Sequence, residues 1–306
     1  MNKIHDCIII GSGPAGFSAA VYAKRACLDT LLFEEITLQG GQIVNTYEVD
    51  NYLGIEKIDG YTLSQKFRDH ALRMGLEIIS KKVIEVDVSN KIKIVKTKNE
   101  EYQTKTIIFA TGAIPLSLGV KGENEFKGKG VSYCATCDGA FFKEQTTMVV
   151  GGGDVAVEDA IFLSRMCKKV YLVHRRDELR ATKILQEELF SKENVEVIWD
   201  SIVEEIKGKE NLQSVIIKNK KTNENKEIFL QGIFCAIGTK ARSELIIEKV
   251  DTENGYIIAN EDCITSIDGI FAAGDVRKKP LRQLITAASD GANAISSVEK
   301  YLLKSK

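Results

Sequence analysis

Apolar residues fall in short unbroken runs, most of them ended by glycine or charge. Asp6-Cys7-Ile8-Ile9-Ile10 reads as a parallel strand buried on both faces. Thr30-Leu31-Leu32-Phe33, Thr146 to Val150 and Lys169 to Val173 repeat that character. Helical periodicity follows the first and third of these, over Phe17 to Arg25 and Val157 to Met166, and recurs over Tyr61 to Met74. Lys82 to Val95 and Tyr102 to Phe109 alternate like strands about a charged turn at Lys96 to Glu101. Val195 to Ile198, Val203 to Ile206, Leu212 to Ile217 and Glu227 to Phe234 read as further strands, with a solvated hairpin at Lys218 to Lys226. Gly269 to Val276 is a strand running into a turn, and Arg282 to Ala288 begins a small-residue helix. Short buried strands alternating with helices predict an α/β fold with parallel sheets.

Two strand-to-helix turns are rich in glycine. Gly11-Ser12-Gly13-Pro14-Ala15-Gly16 follows the first strand and opens the first helix. Gly11 permits the turn, Gly13 lets backbone approach a pyrophosphate, and Gly16 lets helix and strand pack closely. Glu34, 18 residues after Gly16, stands where an acid meets a ribose hydroxyl. Together these predict an adenine dinucleotide. The second turn, Gly151-Gly152-Gly153-Asp154-Val155-Ala156, begins 140 residues after Gly11. No acid ends the next strand; His174-Arg175-Arg176 and then Arg180 stand there instead. Guanidinium forks pair with a 2′-phosphate that an acid would repel, so this unit is built for NADP(H). Gly40 to Gly54 reads as a polar loop lining a ligand, and Ala110-Thr111-Gly112-Ala113 as a small-residue turn. Asp275 offers a carboxylate to ribityl hydroxyls.

Between the two turns lies Cys134-Ala135-Thr136-Cys137-Asp138-Gly139. A lone C-x-x-C is a redox dithiol or half of a zinc site. Cys7, Cys27, Cys167, Cys235 and Cys263 stand singly and form no second pair; they read as packed or inert thiols. His5 and His70 read as surface or helix residues, and Trp199 as packing.

Composition narrows the setting. The chain has 306 residues, 44% hydrophobic and 28% charged, enough for about two domains. A net charge of −1 offers nothing to nucleic acid or an anionic membrane surface. No apolar run approaches the ~20 residues of a membrane span. The seven cysteines do not form a secreted disulfide framework, so the expected location is cytoplasmic.

The ordered motifs resemble the low-molecular-weight thioredoxin reductases over nearly the whole chain. The resemblance rests on Gly11 to Gly16, Gly40-Gly41-Gln42, Ala110-Thr111-Gly112, the Cys134 to Gly139 segment, Gly151 to Ala156, His174 to Arg176 with Arg180, Gly274-Asp275 and Arg282-Gln283. It implies two Rossmann-like domains of three-layer ββα type, the second inserted into the first. Residues 1–116 and 243–306 would bind FAD; residues 117–242 would bind NADPH and carry the dithiol. It implies a homodimer, domain rotation between half-reactions, and electron flow from NADPH through FAD and the dithiol to oxidised thioredoxin. Cys137 would take electrons from the flavin, Cys134 would attack thioredoxin, and Asp138 would be the acid/base. Gly11, Ser12, Gly13, Pro14, Ala15, Gly16, Glu34, Gly41, Gln42, Thr46, Asn51, Thr111, Gly112, Gly274, Asp275, Arg282 and Gln283 would contact FAD. Gly151, Gly153, Asp154, His174, Arg175, Arg176 and Arg180 would contact NADPH.

Three positions depart from the family pattern: Leu53 replaces a usual proline, Val155 a usual serine, and Gly238 to Arg242 lacks a Pro-Asn-Thr-like segment. Two other enzymes come into question. Ferredoxin-dependent flavin thioredoxin reductases lose the second glycine turn and its arginines, both present here. FAD-dependent NADPH oxidoreductases of the same fold generally lack the dithiol. A non-enzymatic, redox-sensing nucleotide-binding module would hold FAD but turn over slowly.

Overall fold

The computed structural model describes residues 3–35, 40–46 and 49–304; positions 47 and 48 of the polar loop lie outside the described residues. The chain divides into two compact units, Met1–Ile114 with Lys240–Lys306, and Pro115–Thr239.

In the first unit, β1 (Ile4–Ile10), β2 (Thr30–Phe33), β3 (Glu77–Ile79), β4 (Glu85–Asp87), β5 (Lys93–Lys96) and β6 (Glu101–Phe109) form a mixed sheet. The spatial order is β3-β2-β1-β6-β5-β4. The strand Ile270–Ala272 lies parallel to the C-terminal half of β6, while β5 runs antiparallel to its N-terminal half. Helix α1 (Pro14–Arg25) makes the crossover from β1 to the parallel β2. Period-2 alternation then builds two cores. Cys7, Ile9, Leu32, Ile108 and Phe271 join the helical core, with Ala15, Ala19, Ala20 and Ala23 of α1. Ile8, Ile10, Leu31, Phe33 and Ile107 join Val86 and Val95 of the antiparallel ribbon. Small residues on α1 admit the C-terminal helix closely: a Cβ on Gly291 would sit 2.2 Å from the Ala15 carbonyl oxygen. Helix α2 (Gly60–Arg73) is capped by Asp59, whose carboxylate accepts the Thr62 N–H at 2.8 Å.

The second unit repeats the plan. Its sheet is fully parallel, in the order Val195–Ile198, Lys169–Val173, Thr146–Val150, Gly232–Cys235, Val131–Ser132. One face packs on α4 (Asp154–Ser164) and α5 (Lys183–Phe190), which follow the one-turn helix α3 (Ala135–Asp138). The other face meets an antiparallel meander through Val203, Ile206, Val215 and Ile228. The 21-residue helix α6 (Leu284–Lys304) closes the chain. No described helix is long and apolar enough to cross a membrane.

Two expected strands are each two strands. Lys82 to Val95 breaks because Asp87 Oδ1 accepts both the Ser89 N–H (3.0 Å) and its hydroxyl (2.6 Å), making a turn between β4 and β5. Glu227 to Phe234 breaks where the chain changes sheets. Leu230 N–H donates to Gln213 O, on the meander, and Gln231 N–H to Thr146 O, on the parallel sheet. His5 is buried rather than exposed, with Nδ1 3.0 Å from Asp29. Cys27 alone among the single cysteines is exposed.

Candidate active site

In each unit, most of the predicted site residues lie just after the C-terminal ends of parallel strands, where open α/β sheets bind ligands. In the first unit, Gly11 turns at φ +109°, and a Cβ there would meet the Ala110 oxygen at 2.4 Å. A Cβ on Gly16 would lie 1.9 Å from Gly11 O, so this glycine is required for packing. Gly13 is different, since nothing lies within 4 Å of its Cβ position. It is the N-cap of α1 with no side-chain cap, and Pro14 follows. No side chain caps the start of α1, and the space beside Gly13 is open, which suits a pyrophosphate. Glu34 is already engaged: Ser12 donates to Oε2 from its N–H (3.0 Å) and hydroxyl (2.7 Å). Sequence spacing located this acid but not its link to the glycine turn.

Asp275 follows the strand Ile270–Ala272. Its Oδ1 is buried and has no hydrogen-bond partner among the described residues. Burial pushes its pKa up, opposed by Lys279 and Arg282. A buried acceptor of this kind fits the hydroxyls of a ribityl chain. Asp290 of α6 supports the turn beneath it and carries no motif. Its Oδ2 accepts the Gly274 N–H at 2.8 Å and pairs with Lys279 (2.8 Å) and Arg277 (3.0 Å). Arg282 lies 4.3 Å over the Tyr256 ring. Asn51 donates to Gln283 Oε1 at 3.1 Å, Gln42 to Ala113 O, and the Thr111 hydroxyl to Arg242 O. Gly41 begins a short 3-10 turn ending at Asn45; Thr46 caps it, with its N–H on Ile43 O. Arg242 N–H donates to Gly112 O at 2.9 Å. This last contact occupies the segment where the Pro-Asn-Thr-like pattern is missing.

The second unit makes the second cradle. Gly153 caps α4 without a side-chain bond, and its Cβ position is also open. Asp154 Oδ1 accepts the Thr182 N–H at 2.8 Å, which ties the helix start to the following loop. Gly151 must lack a side chain, since a Cβ would meet Ala236 O at 2.5 Å. His174 is 4% exposed, stacks edge-on against Trp199, and has a buried Nε2 without a partner. Burial lowers its pKa, which favours the neutral ring. Arg175, Arg176 and Arg180 are exposed, and among the described residues none is paired with a carboxylate. Three free guanidinium groups beside an uncapped helix start fit a nucleotide with an extra phosphate.

The cysteine pair follows the edge strand Val131–Ser132 of that same sheet. Cys134 and Cys137 form a disulfide across α3, and both are half-buried. The Ser132 hydroxyl donates to Asp138 Oδ2 at 2.5 Å and accepts the Cys134 N–H at 3.1 Å. Burial raises the Asp138 pKa, while the Ser132 bond opposes the rise. A carboxyl held in this way can keep and release a proton beside a thiol. No group of three or more His, Cys, Asp or Glu among the described residues could hold a metal ion.

A family model described as pyridine nucleotide-disulphide oxidoreductase matches residues 5–292. The chain belongs to this family. It is 44% identical to the thioredoxin reductase of Peptoclostridium acidaminophilum, with 99% of this chain and 98% of the relative covered. It is 45% identical to that of Bacillus subtilis, covering 98% and 95%. The solved thioredoxin reductase of Streptococcus pyogenes superposes with a TM-score of 0.94 at 43% identity, covering 99% of this chain and 100% of that one.

Proposed function

We propose that the chain is an NADPH-dependent thioredoxin reductase with FAD as its prosthetic group. The observation that carries this reading is the second unit's arrangement. One parallel sheet bears both the Cys134–Cys137 disulfide and a nucleotide cradle with three unpaired arginines. The first unit, residues 1–114 and 240–306, would hold FAD through Gly13, Glu34, Asp275 and the start of α1. The second, residues 115–239, would hold NADPH through Gly153, His174, Arg175, Arg176 and Arg180. Bound flavin and nicotinamide supply two-electron transfer to the disulfide.

The protein's own residues carry the thiol chemistry. Reduction opens the Cys134–Cys137 bond into two thiols. Cys134, as thiolate, attacks one sulfur of the thioredoxin disulfide, forms a mixed disulfide and expels the other sulfur as a thiolate. Cys137 then attacks Cys134 Sγ, restoring the internal disulfide and releasing the second thioredoxin thiolate. Asp138 takes and returns the proton that accompanies these steps.

The family resemblance also supports a homodimer, which sedimentation would test. The free thiols of Cys7, Cys27, Cys167, Cys235 and Cys263 suit a reducing cytoplasm. The main test is an anaerobic NADPH titration followed by oxidised thioredoxin. The flavin colour should bleach and then return. A flavin that NADPH leaves coloured but reduced ferredoxin bleaches would replace the donor. Bleaching without recovery would replace the acceptor.

A further inference from the structure

Tyr133 immediately precedes Cys134, and its hydroxyl donates to Glu123 Oε1 at 2.7 Å. Glu123 is 1% exposed. The same oxygen accepts the Leu118 N–H at 2.9 Å. Its Oε2 accepts the Ser117 hydroxyl at 2.6 Å and the Gly119 N–H at 2.7 Å. Burial works to raise the pKa of this carboxyl, but four converging donors hold it below the ordinary value. Lys127 lies 5.5 Å over the Tyr133 ring. Ser132 and Tyr133 are therefore anchored separately. Ser132 faces Asp138 and the Cys134 N–H; Tyr133 reaches the buried carboxylate.

We propose that Tyr133 and Glu123 are positioning residues for the dithiol: the buried carboxylate, through the Tyr133 hydroxyl, fixes the backbone that presents Cys134 to Cys137. The Cα atoms of the two cysteines lie 5.3 Å apart. Closing an internal disulfide depends on how well two thiols are held together, that is, on their effective concentration. A residue that fixes one of them therefore shifts the dithiol–disulfide equilibrium as well as the exchange rate. This inference rests on reading Cys134 and Cys137 as the redox pair.

The test compares the FAD-loaded wild type with Tyr133→Phe and Ser117→Ala. Each variant removes one hydroxyl from Glu123, but only the first lies next to Cys134. The dithiol–disulfide equilibrium is measured against dithiothreitol buffers, with melting temperature and flavin content recorded alongside. For Tyr133→Phe the disulfide should become roughly fivefold easier to reduce. The kcat with thioredoxin should fall about tenfold at unchanged KM for NADPH. Ser117→Ala should lower the melting temperature comparably and leave the equilibrium within about twofold. An unshifted equilibrium in Tyr133→Phe, or equal shifts in both variants, would overturn the proposal. A wild type that reduces no thioredoxin would instead refute the functional reading, while the dithiothreitol comparison still decides the positioning role.

Discussion

The Ser132 hydroxyl donates to the Asp138 carboxylate at 2.5 Å, joining the strand that ends before Cys134 to the residue after Cys137. Burial raises the Asp138 pKa and Ser132 restrains it. Ser132→Ala removes the restraint, so the pKa climbs further. The part of the pH–rate profile that reports Asp138 should move to higher pH, and Ser132→Thr should restore it. Single-turnover reduction of thioredoxin across pH checks this; an unmoved profile in Ser132→Ala would count against Asp138 as the acid/base.

Two glycines of one turn should fail differently. Gly16→Ala places a Cβ 1.9 Å from the Gly11 oxygen, so the turn itself must distort. Gly13→Ala meets no protein atom within 4 Å and should fold normally. Its methyl group instead occupies the approach to the start of α1. Circular dichroism should therefore show a folded Gly13→Ala protein that purifies with little or no flavin, and a poorly folded Gly16→Ala.

On the proposed function, Arg175 and Arg176 would carry the choice of nucleotide. Each charge-assisted bond to a phosphate contributes about 1.5–3 kcal/mol. The double change to alanine should raise KM for NADPH by at least about a hundredfold on that basis. NADH, which lacks the extra phosphate, should bind almost as before. Equal losses for both nucleotides would mean that the arginines support the fold rather than select the cofactor.

Asp290 balances two buried cations, Arg277 and Lys279. Asp290→Ala takes from both cations their buried carboxylate, leaving Arg277 only the exposed Glu261 at 3.9 Å, and frees the Gly274 N–H, at a cost of roughly 3–5 kcal/mol. The melting temperature should fall by many degrees, and FAD should restore part of the loss by mass action.

Asp159 on α4 has a pKa raised to about 7 by burial and by the neighbouring Glu158. Because the folded value exceeds the unfolded one, the folded state holds this proton more tightly. The associated stability is full below about pH 4 and is lost as pH rises to about 7. Asp159→Asn should match the wild type in melting temperature near the lower pH and exceed it near pH 8. Parallel curves for the two proteins would rule out this titration.

The legible part of the molecule was local. Gly11, Gly13 and Gly16 state a strand, a turn and a helix within a few residues, and each has the geometry its position requires. Arg175 and Arg176 announced themselves by standing where Glu34 stands in the first unit. What could not be read depends on partners far apart in sequence. Asp290 meets Gly274 across 16 residues, and Glu123 meets Tyr133 across 10, with no pattern linking either pair. The change of sheets between Leu230 and Gln231 was hidden for a similar reason. Both flanking stretches are apolar, and only their hydrogen-bond partners distinguish them.

The two passages of chain between the units have a practical consequence. Ala113–Pro115 and Thr239–Ala241 pair as a two-stranded ribbon. Within the second unit, Leu116 N–H donates to Gly238 O at 2.9 Å; within the first, Arg242 N–H donates to Gly112 O at 2.9 Å. The cut ends of each half therefore already lie side by side. Residues 115–239 form one continuous stretch of chain, and the ends of residues 1–114 and 240–306 lie close enough for a linker of a few glycines to rejoin them. Each unit thus has its own chain ends brought together, so a single short ribbon accommodates both passages of the chain.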